Sequence, residues 1–292
     1  MKYRVRHITE YEYAEAVSSC YNLAHMVPRN SLRQKCLRNS ININPVAAFT
    51  AKREDYFGNQ SFHFEIQRTH EHLTIVSESE VDVNAQHSAL QLDLGISCDE
   101  ARSLLAHGKQ PDLLFAREFM LDSPAVHASD ELRDYAQSSF QGDRPLLSAV
   151  SELTRRIYDD FTYSPESTTV ATPVSEVMRT RAGVCQDFAH LQVGCLRSMG
   201  FPAKYVSGYI ETLPPPGREK LVGADASHAW ISVYSPNEGW FEFDPTNNQI
   251  CDDQHIITAW GRDYFDVTPL RGVIFGGGKD PLLKVSVDVA RI

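Results

Sequence analysis

An α+β fold is predicted, with a β-rich amino-terminal unit followed by a helix-and-sheet unit, on three observations. First, short alternating or β-branched runs recur at Tyr3 to Tyr13, Cys36 to Asn44, Ala47 to Glu54, Ser61 to Arg68 and Leu73 to Val83, separated by turn signals such as "PRNS" and "FGNQ". Strands at this spacing suggest an antiparallel, sandwich-like domain. Second, the pattern turns helical after a turn-rich stretch from about Asp93 to Pro124. "SDELRDYAQSSF" opens on a Ser/Asp start signal, and "PLLSAVSELTRRIYDDF" places Leu146, Val150, Leu153 and Ile157 on one face. Third, a helix from about Cys185 to Met199, with the stripe Phe188, Leu191, Cys195 and Met199, is stopped by Gly200 and Pro202. Strands then follow near Ala203 to Glu211, Ser227 to Tyr234 and Trp240 to Phe243. The division expected from this change of pattern is 1–125 and 126–292, the tail counted with the second unit.

Composition narrows the function classes. The chain has 292 residues, 42% hydrophobic and 23% charged, enough for two sizeable cores. With 28 basic against 38 acidic residues the net charge is −10, and no basic run is present to track nucleic acid or an anionic membrane. The start "MKYRVRHITEYEYAEAV" lacks an uninterrupted apolar stretch, so a cytoplasmic protein with no membrane partner is expected. Six cysteines are scattered without a C-x-x-C pair, and most are expected to be free thiols packed as small apolar groups. The eleven histidines form no zinc-type cluster, and "HEH" at 70–72 reads as a polar strand face. Neither a metal nor a cofactor is expected.

"RAGVCQDFAH" puts Cys185 two residues after Gly183, at the start of the predicted helix. Gly183 permits a tight or left-handed entry. Unsatisfied N–H groups and the positive end of the helix dipole favour a thiolate over a thiol there, and the same N–H groups can stabilise an oxyanion. Acyl transfer then needs a proton-exchanging histidine. In "DASHAWISVY" a period of two puts His228, Trp230 and Ser232 on one strand face. "SPNEG" has hairpin length and leads into "GWFEFDPTNN". If Tyr234 pairs with Gly239 or Trp240, His228 falls opposite Asp244 to within a residue or two, close enough for a carboxylate to orient an imidazole.

Other residues are candidates for the surroundings. Gln186 could donate to an oxyanion or cap locally. Asp187 suits the helix dipole. Asp225 could fix a loop or reach the site. Trp230 is expected to line the cleft, Trp240 to serve as cleft wall or core, and Tyr163 and Tyr209 to offer hydroxyl donors or packing.

"GVCQDFAHLQVGCLRSMGFPAKYVSGY", "DASHAWISVY" and "GWFEFDPTNN" resemble three blocks of the bacterial transglutaminase-like cysteine enzymes, which share a papain-like core. "YRVRHITEYEYAEAV", "DYFGN" and "GRDYFDVTPLRGV" resemble that family's amino-terminal β-domain and carboxy-terminal segment. The resemblance implies Cys185 as nucleophile, His228 as general base and acid, and Asp244 as orienting carboxylate. It implies a peptide or protein substrate attacked at a carboxamide or peptide carbonyl. It leaves hydrolysis and amine transfer both open, and no pattern carries over the calcium sites of the animal enzymes. A binding module on the same fold would call for a broken triad, whereas all three positions are chemically competent. A zinc hydrolase using Cys185 and His228 would need further ligands at plausible spacing. The loop from Leu213 to Gly217 offers no bulky apolar cover for a thioester, which favours hydrolysis.

Overall fold

The computed structural model describes residues 1–84, 91–212 and 227–292. In the first unit the strands are β1 (Lys2–Ala24), β2 (Gln34–Asn44), β3 (Phe49–Glu54), β4 (Gln60–Ile66) and β5 (His70–Val83). Then come α1 (Cys98–His107), α2 (Pro111–Arg117), α3 (Asp130–Ala136), α4 (Leu146–Asp160), β6 (Thr162–Tyr163), α5 (Val174–Thr180), β7 (Ala182–Gly183) and α6 (Cys185–Ser198). The rest is β8 (Ala203–Ile210), β9 (Ser227–Ser235), β10 (Gly239–Asp244), β11 (Gln249–Ile250), β12 (His255–Gly261), α7 (Tyr264–Val267), β13 (Leu270–Gly276) and β14 (Leu282–Arg291).

β1 organises the first sheet. Tyr3, Val5, His7 and Thr9 alternate inward as period two requires, and the pairing with β5 is interrupted between Glu12 and Val17. β5 and β14 flank the first half of the strand, while β4 and β13 flank the second. The result is one curled antiparallel sheet of seven strands. Its core joins Tyr13, Val17 and Cys20 to Phe62 and Phe64 of β4 and Leu73 and Ile75 of β5. The expected antiparallel, sandwich-like β-domain is built as this curled sheet, with the long interrupted strand β1 running through it. The carboxy-terminal strands β13 and β14 also pair with β1, so the tail joins the first sheet.

The stretch from Asp93 to Pro124, turn-rich in composition, holds α1 and α2. α1 is opened by Ser97, whose side chain accepts from the Glu100 N–H at 3.2 Å. At ten and seven residues these helices are too short for periodicity to stand out from turn composition.

In the second unit a five-stranded antiparallel sheet runs β11-β10-β9-β8-β12. The face carrying Ala203 and Tyr205 of β8 and Ala229, Ile231 and Val233 of β9 shares a core with Phe188, Leu191 and Cys195 of α6. Every residue of α6 from Asp187 to Ser198 is buried, so the helix is enclosed on all sides, not merely along its stripe. Its polar side chains are tolerated because each has a partner, although Gln192 Oε1 has none among the described residues. Gln192 Nε2 donates to Thr154 Oγ1 at 2.7 Å, His190 Nε2 accepts from the Tyr264 N–H at 3.1 Å, and Arg197 donates to the carbonyls of Phe119, Ala203 and Arg262.

β12 is an edge strand, and side-chain amides from the first unit close it. Gln34 exchanges hydrogen bonds with both Ile257 backbone groups at 2.8 Å, and Asn59 does the same with Trp260 at 2.8 and 2.9 Å. Each amide supplies the donor and acceptor that a neighbouring strand would, protecting an otherwise open ladder. Among the described residues no helix is long and apolar enough to cross a membrane.

Candidate active site

Cys185 stands at the first position of α6. Asp187, in the same turn, accepts from the Val184 N–H at 2.8 Å and from Thr168 Oγ1 at 2.6 Å, which fixes the helix entry. A Cβ on Gly183 would lie 2.8 Å from the Asp187 side chain. Glycine is needed there for that close approach, and a left-handed backbone is not the reason. β6 runs parallel to β7 and pairs Tyr163 with Gly183, which brings Tyr163 beside the nucleophile position.

The hairpin register sets the other two residues. Trp240 pairs with Tyr234 and Phe243 with Ile231, so one step further Asp244 lies across from Trp230 and diagonal to His228. His228 Nε2 lies 2.7 Å from Asp244 Oδ2, with both side chains buried. The Cys185 thiol lies close enough to His228 to help hold a proton on the ring. Because Asp244 occupies Nε2, Nδ1 is the ring nitrogen that remains for the thiol. Burial opposes protonation of this ring, yet the hydrogen bonds and charges of Asp244 and Cys185 outweigh it and push His228 up to about 9. Burial alone would raise Asp244, but hydrogen bonds from His228 and His255 hold it far below the usual carboxylate range.

Asp244 is satisfied on both oxygens. Oδ1 accepts from the N–H groups of Thr246 at 2.9 Å and Asn247 at 3.2 Å; Oδ2 accepts from Asn247 Nδ2 at 2.7 Å and faces His255 Nε2 at 3.2 Å. Sequence reasoning misses Asn247 and His255. The D-x-x-N spacing of "DPTN" is a turn in which the aspartate side chain takes the following N–H groups, and it is a signal that could have flagged Asn247. His255 arrives from another strand and carries no local signal.

The remaining candidates separate. Trp230, expected at the cleft, is fully buried: its ring lies over Gly208 and its Nε1 donates to Glu242 Oε2 at 2.7 Å. Tyr209, expected as a pocket donor, packs with Tyr3, Val5 and Ile256, and its hydroxyl lies 2.9 Å from His7 Nδ1 in the first sheet. Gln186 gives its amide to the Val170 carbonyl at 3.3 Å, so the side chain is tied to a neighbouring loop instead of an oxyanion site. Trp240 packs edge-on to Phe119 beside the Lys204 amine, as part of the core. Tyr163 is 55% exposed. Asp225 and the Leu213 to Gly217 loop lie outside the described residues.

Among the described residues His228, Asp244 and His255 bring donor atoms within 4.8 Å of one another, a set whose chemistry suits a divalent metal. Asp244 Oδ2 is already shared by both imidazoles and the Asn247 amide, and Cys185 lies near the His228 ring. The arrangement is a thiol beside an imidazole that is hydrogen-bonded to a carboxylate.

Reactivity of the thiols follows from these surroundings. Cys20, Cys98, Cys195 and Cys251 are buried, and burial pushes all four thiols up, Cys195 to about 12; it also raises the part-exposed Cys36. Iodoacetamide near neutral pH is expected to label Cys185 first, and His228→Ala to slow that labelling. Peptide mass spectrometry over a time course reads both; equal rates at several cysteines would remove the thiol–imidazole pair.

The family comparisons cover both units of the chain. Residues 3–82 match the bacterial transglutaminase-like N-terminal region, and residues 133–245 match the transglutaminase-like superfamily. An uncharacterized protein of Mycobacterium tuberculosis H37Rv is 43% identical over 292 residues, covering 99% of this chain and 92% of its own length. A protein-glutamine gamma-glutamyltransferase of Pseudomonas aeruginosa is 30% identical over 125 residues, 41% of this chain and 19% of that one. The crystal structure of a candidate cysteine protease from Cytophaga hutchinsonii superposes with a TM-score of 0.75 at 21% identity, over 99% of this chain and 90% of that one. With matches that run in order through both units, and one relative aligned along nearly all of its length, the chain belongs to the transglutaminase-like superfamily and carries that family's bacterial N-terminal region.

Proposed function

We propose that the protein is a cysteine-dependent acyl-transfer enzyme that cleaves a peptide or carboxamide bond through a thioester and resolves it with water. One observation carries this reading: Cys185, at a helix N-terminus, lies beside a buried imidazole that a fully buried carboxylate holds at 2.7 Å. Cys185 Sγ, its proton passed to His228, attacks the carbonyl carbon and the oxygen becomes an oxyanion, for which the Cys185 N–H in the first turn is a donor. His228 gives its proton to the departing nitrogen as the C–N bond breaks. Water then yields a proton to His228 and attacks the thioester, releasing the acid, and His228 returns that proton to the departing sulfur. Asp244 keeps the ring oriented and stabilises its charged form.

Water is the favoured second nucleophile because Tyr163, the aromatic side chain that β6 sets beside Cys185, is more than half exposed and offers little shelter to an acyl group. The Cytophaga hutchinsonii neighbour, named as a candidate protease, matches the fold along the whole chain, whereas the glutamyltransferase matches a part of it. The test supplies a reactive amide or ester with and without excess primary amine and quantifies both products. Acid is expected to dominate. If millimolar amine captures most of the acyl groups, the enzyme is a transferase.

A further inference from the structure

We propose that His255 and Arg33 are positioning residues for the His228–Asp244 pair, so that the amino-terminal β-region, which supplies Arg33, is a working part of the active site. This rests on the assignment of Cys185 and His228 as nucleophile and proton carrier. The geometry points to it in two steps. His255 is completely buried, and its Nε2 faces the same carboxylate oxygen that His228 uses, at 3.2 Å against 2.7 Å. Its other nitrogen faces the Asp252 backbone N–H at 3.4 Å and the Asp252 carboxylate at 3.5 Å, which fixes the ring plane. Two imidazoles sharing one oxygen compete for its charge, so His255 both locates Asp244 and limits how strongly that carboxylate stabilises protonated His228.

Arg33 sets the distance between the parts. Although only 5% exposed, it reaches in from the segment between β1 and β2. Its Nε and one terminal nitrogen grip both oxygens of Glu242, at 3.1 and 2.8 Å; the other donates to the carbonyls of Asp252 and His255, at 2.9 and 3.0 Å. Glu242 lies two residues before Asp244 on the same strand face and also accepts from Trp230. One guanidinium therefore ties the strand that carries Asp244 to the start of β12, which carries His255. A bidentate fork of this kind is not reproduced by lysine.

Charged and titratable groups facing this cluster are His228 and Cys185 on the site side, Glu242 and Asp252 beside Arg33, and the Cys251 thiol under β10. Removing the His255 donor leaves more of the Asp244 charge to His228, so protonated His228 persists to higher pH. The experiment measures alkylation of Cys185 by iodoacetate, an anionic reagent whose rate falls as the imidazolium loses its proton. In His255→Phe the alkaline fall is expected to move upward by roughly half a unit to one unit, and in His255→Gln, which keeps a donor, to stay within about 0.2 units of wild type. Arg33→Lys should move it in the same direction as His255→Phe, by less. Folded His255→Phe and Arg33→Lys proteins with wild-type profiles would overturn the proposal.

If those variants do not fold, imidazole 15N spectra of the otherwise unaltered Cys185→Ala protein decide. Titration of His228 is expected to displace the His255 Nε2 signal, and independent titrations overturn the proposal. A bell-shaped wild-type iodoacetate profile without turnover of any amide or ester would remove the hydrolase reading and leave the positioning intact. A wild-type profile with no alkaline fall would remove both.

Discussion

Cys185→Ala is expected to eliminate turnover, with a fall of at least roughly a thousandfold in kcat/KM on any amide or ester substrate and no covalent adduct on residues 181–190. The effect is this large because the thioester route has no second entry. Of the other thiols, Cys20, Cys98, Cys195 and Cys251 are buried, and Cys36 lies in β2 of the first sheet. Cys36→Ala serves as the comparison and should stay within about twofold of wild type, since surface-strand substitutions remote from a site rarely reach it. Substrate cleavage by stopped assay, with intact-mass detection of the acyl-enzyme, measures both variants. Turnover that survives in Cys185→Ala would assign the chemistry to another group.

Asp244→Ala should cost nearly as much, and Asp244→Asn less, for reasons that separate chemistry from folding. The carboxylate accepts from two backbone N–H groups on one oxygen and faces three side-chain nitrogens around the other. An asparagine oxygen can take the His228 side, but its NH2 then meets the N–H groups of Thr246 and Asn247, donor against donor. Asp244→Asn is therefore expected to keep the ring oriented while losing about 1–3 kcal/mol of stability, the usual cost of an unsatisfied buried group. Without the negative charge the imidazolium is also less favoured, and kcat should fall roughly ten- to a hundredfold. Alanine leaves both histidines and the turn without an acceptor, so kcat should fall roughly a thousandfold or more, with the larger stability loss. Urea denaturation gives the stability, and kcat is taken at the folded fraction it defines. Full kcat in folded Asp244→Ala would take the residue out of the site.

Residues adjacent in sequence, or linked by one hairpin, are legible in the amino-acid sequence by itself. Cys185 at a helix start is a local matter of glycine, helix signal and stripe. The diagonal between His228 and Asp244 follows from hairpin length and strand period, and these two counts fall within 17 residues of chain. The α+β class follows likewise from a change of hydrophobic period partway along the chain.

Tertiary structure alone decided whatever depends on which surface covers which. Alternation places Trp230 on the same strand face as His228, but only the packing of that face buries its ring among Val206, Cys251 and Ile257 with Nε1 on Glu242. Tyr209 shares β8 with core residues, yet contact with β1 takes its hydroxyl to His7. The tail strands follow the second unit in the chain but join the first, because β1 has an edge free for each of them. Arg33 and His255 lie 222 residues apart and meet because a buried guanidinium has to find carbonyls and a carboxylate wherever the fold supplies them. Periodicity and turn chemistry act over a few residues and are written locally. The pairing of buried polar groups is enforced by desolvation across the whole molecule, and it becomes definite only when the two units are docked.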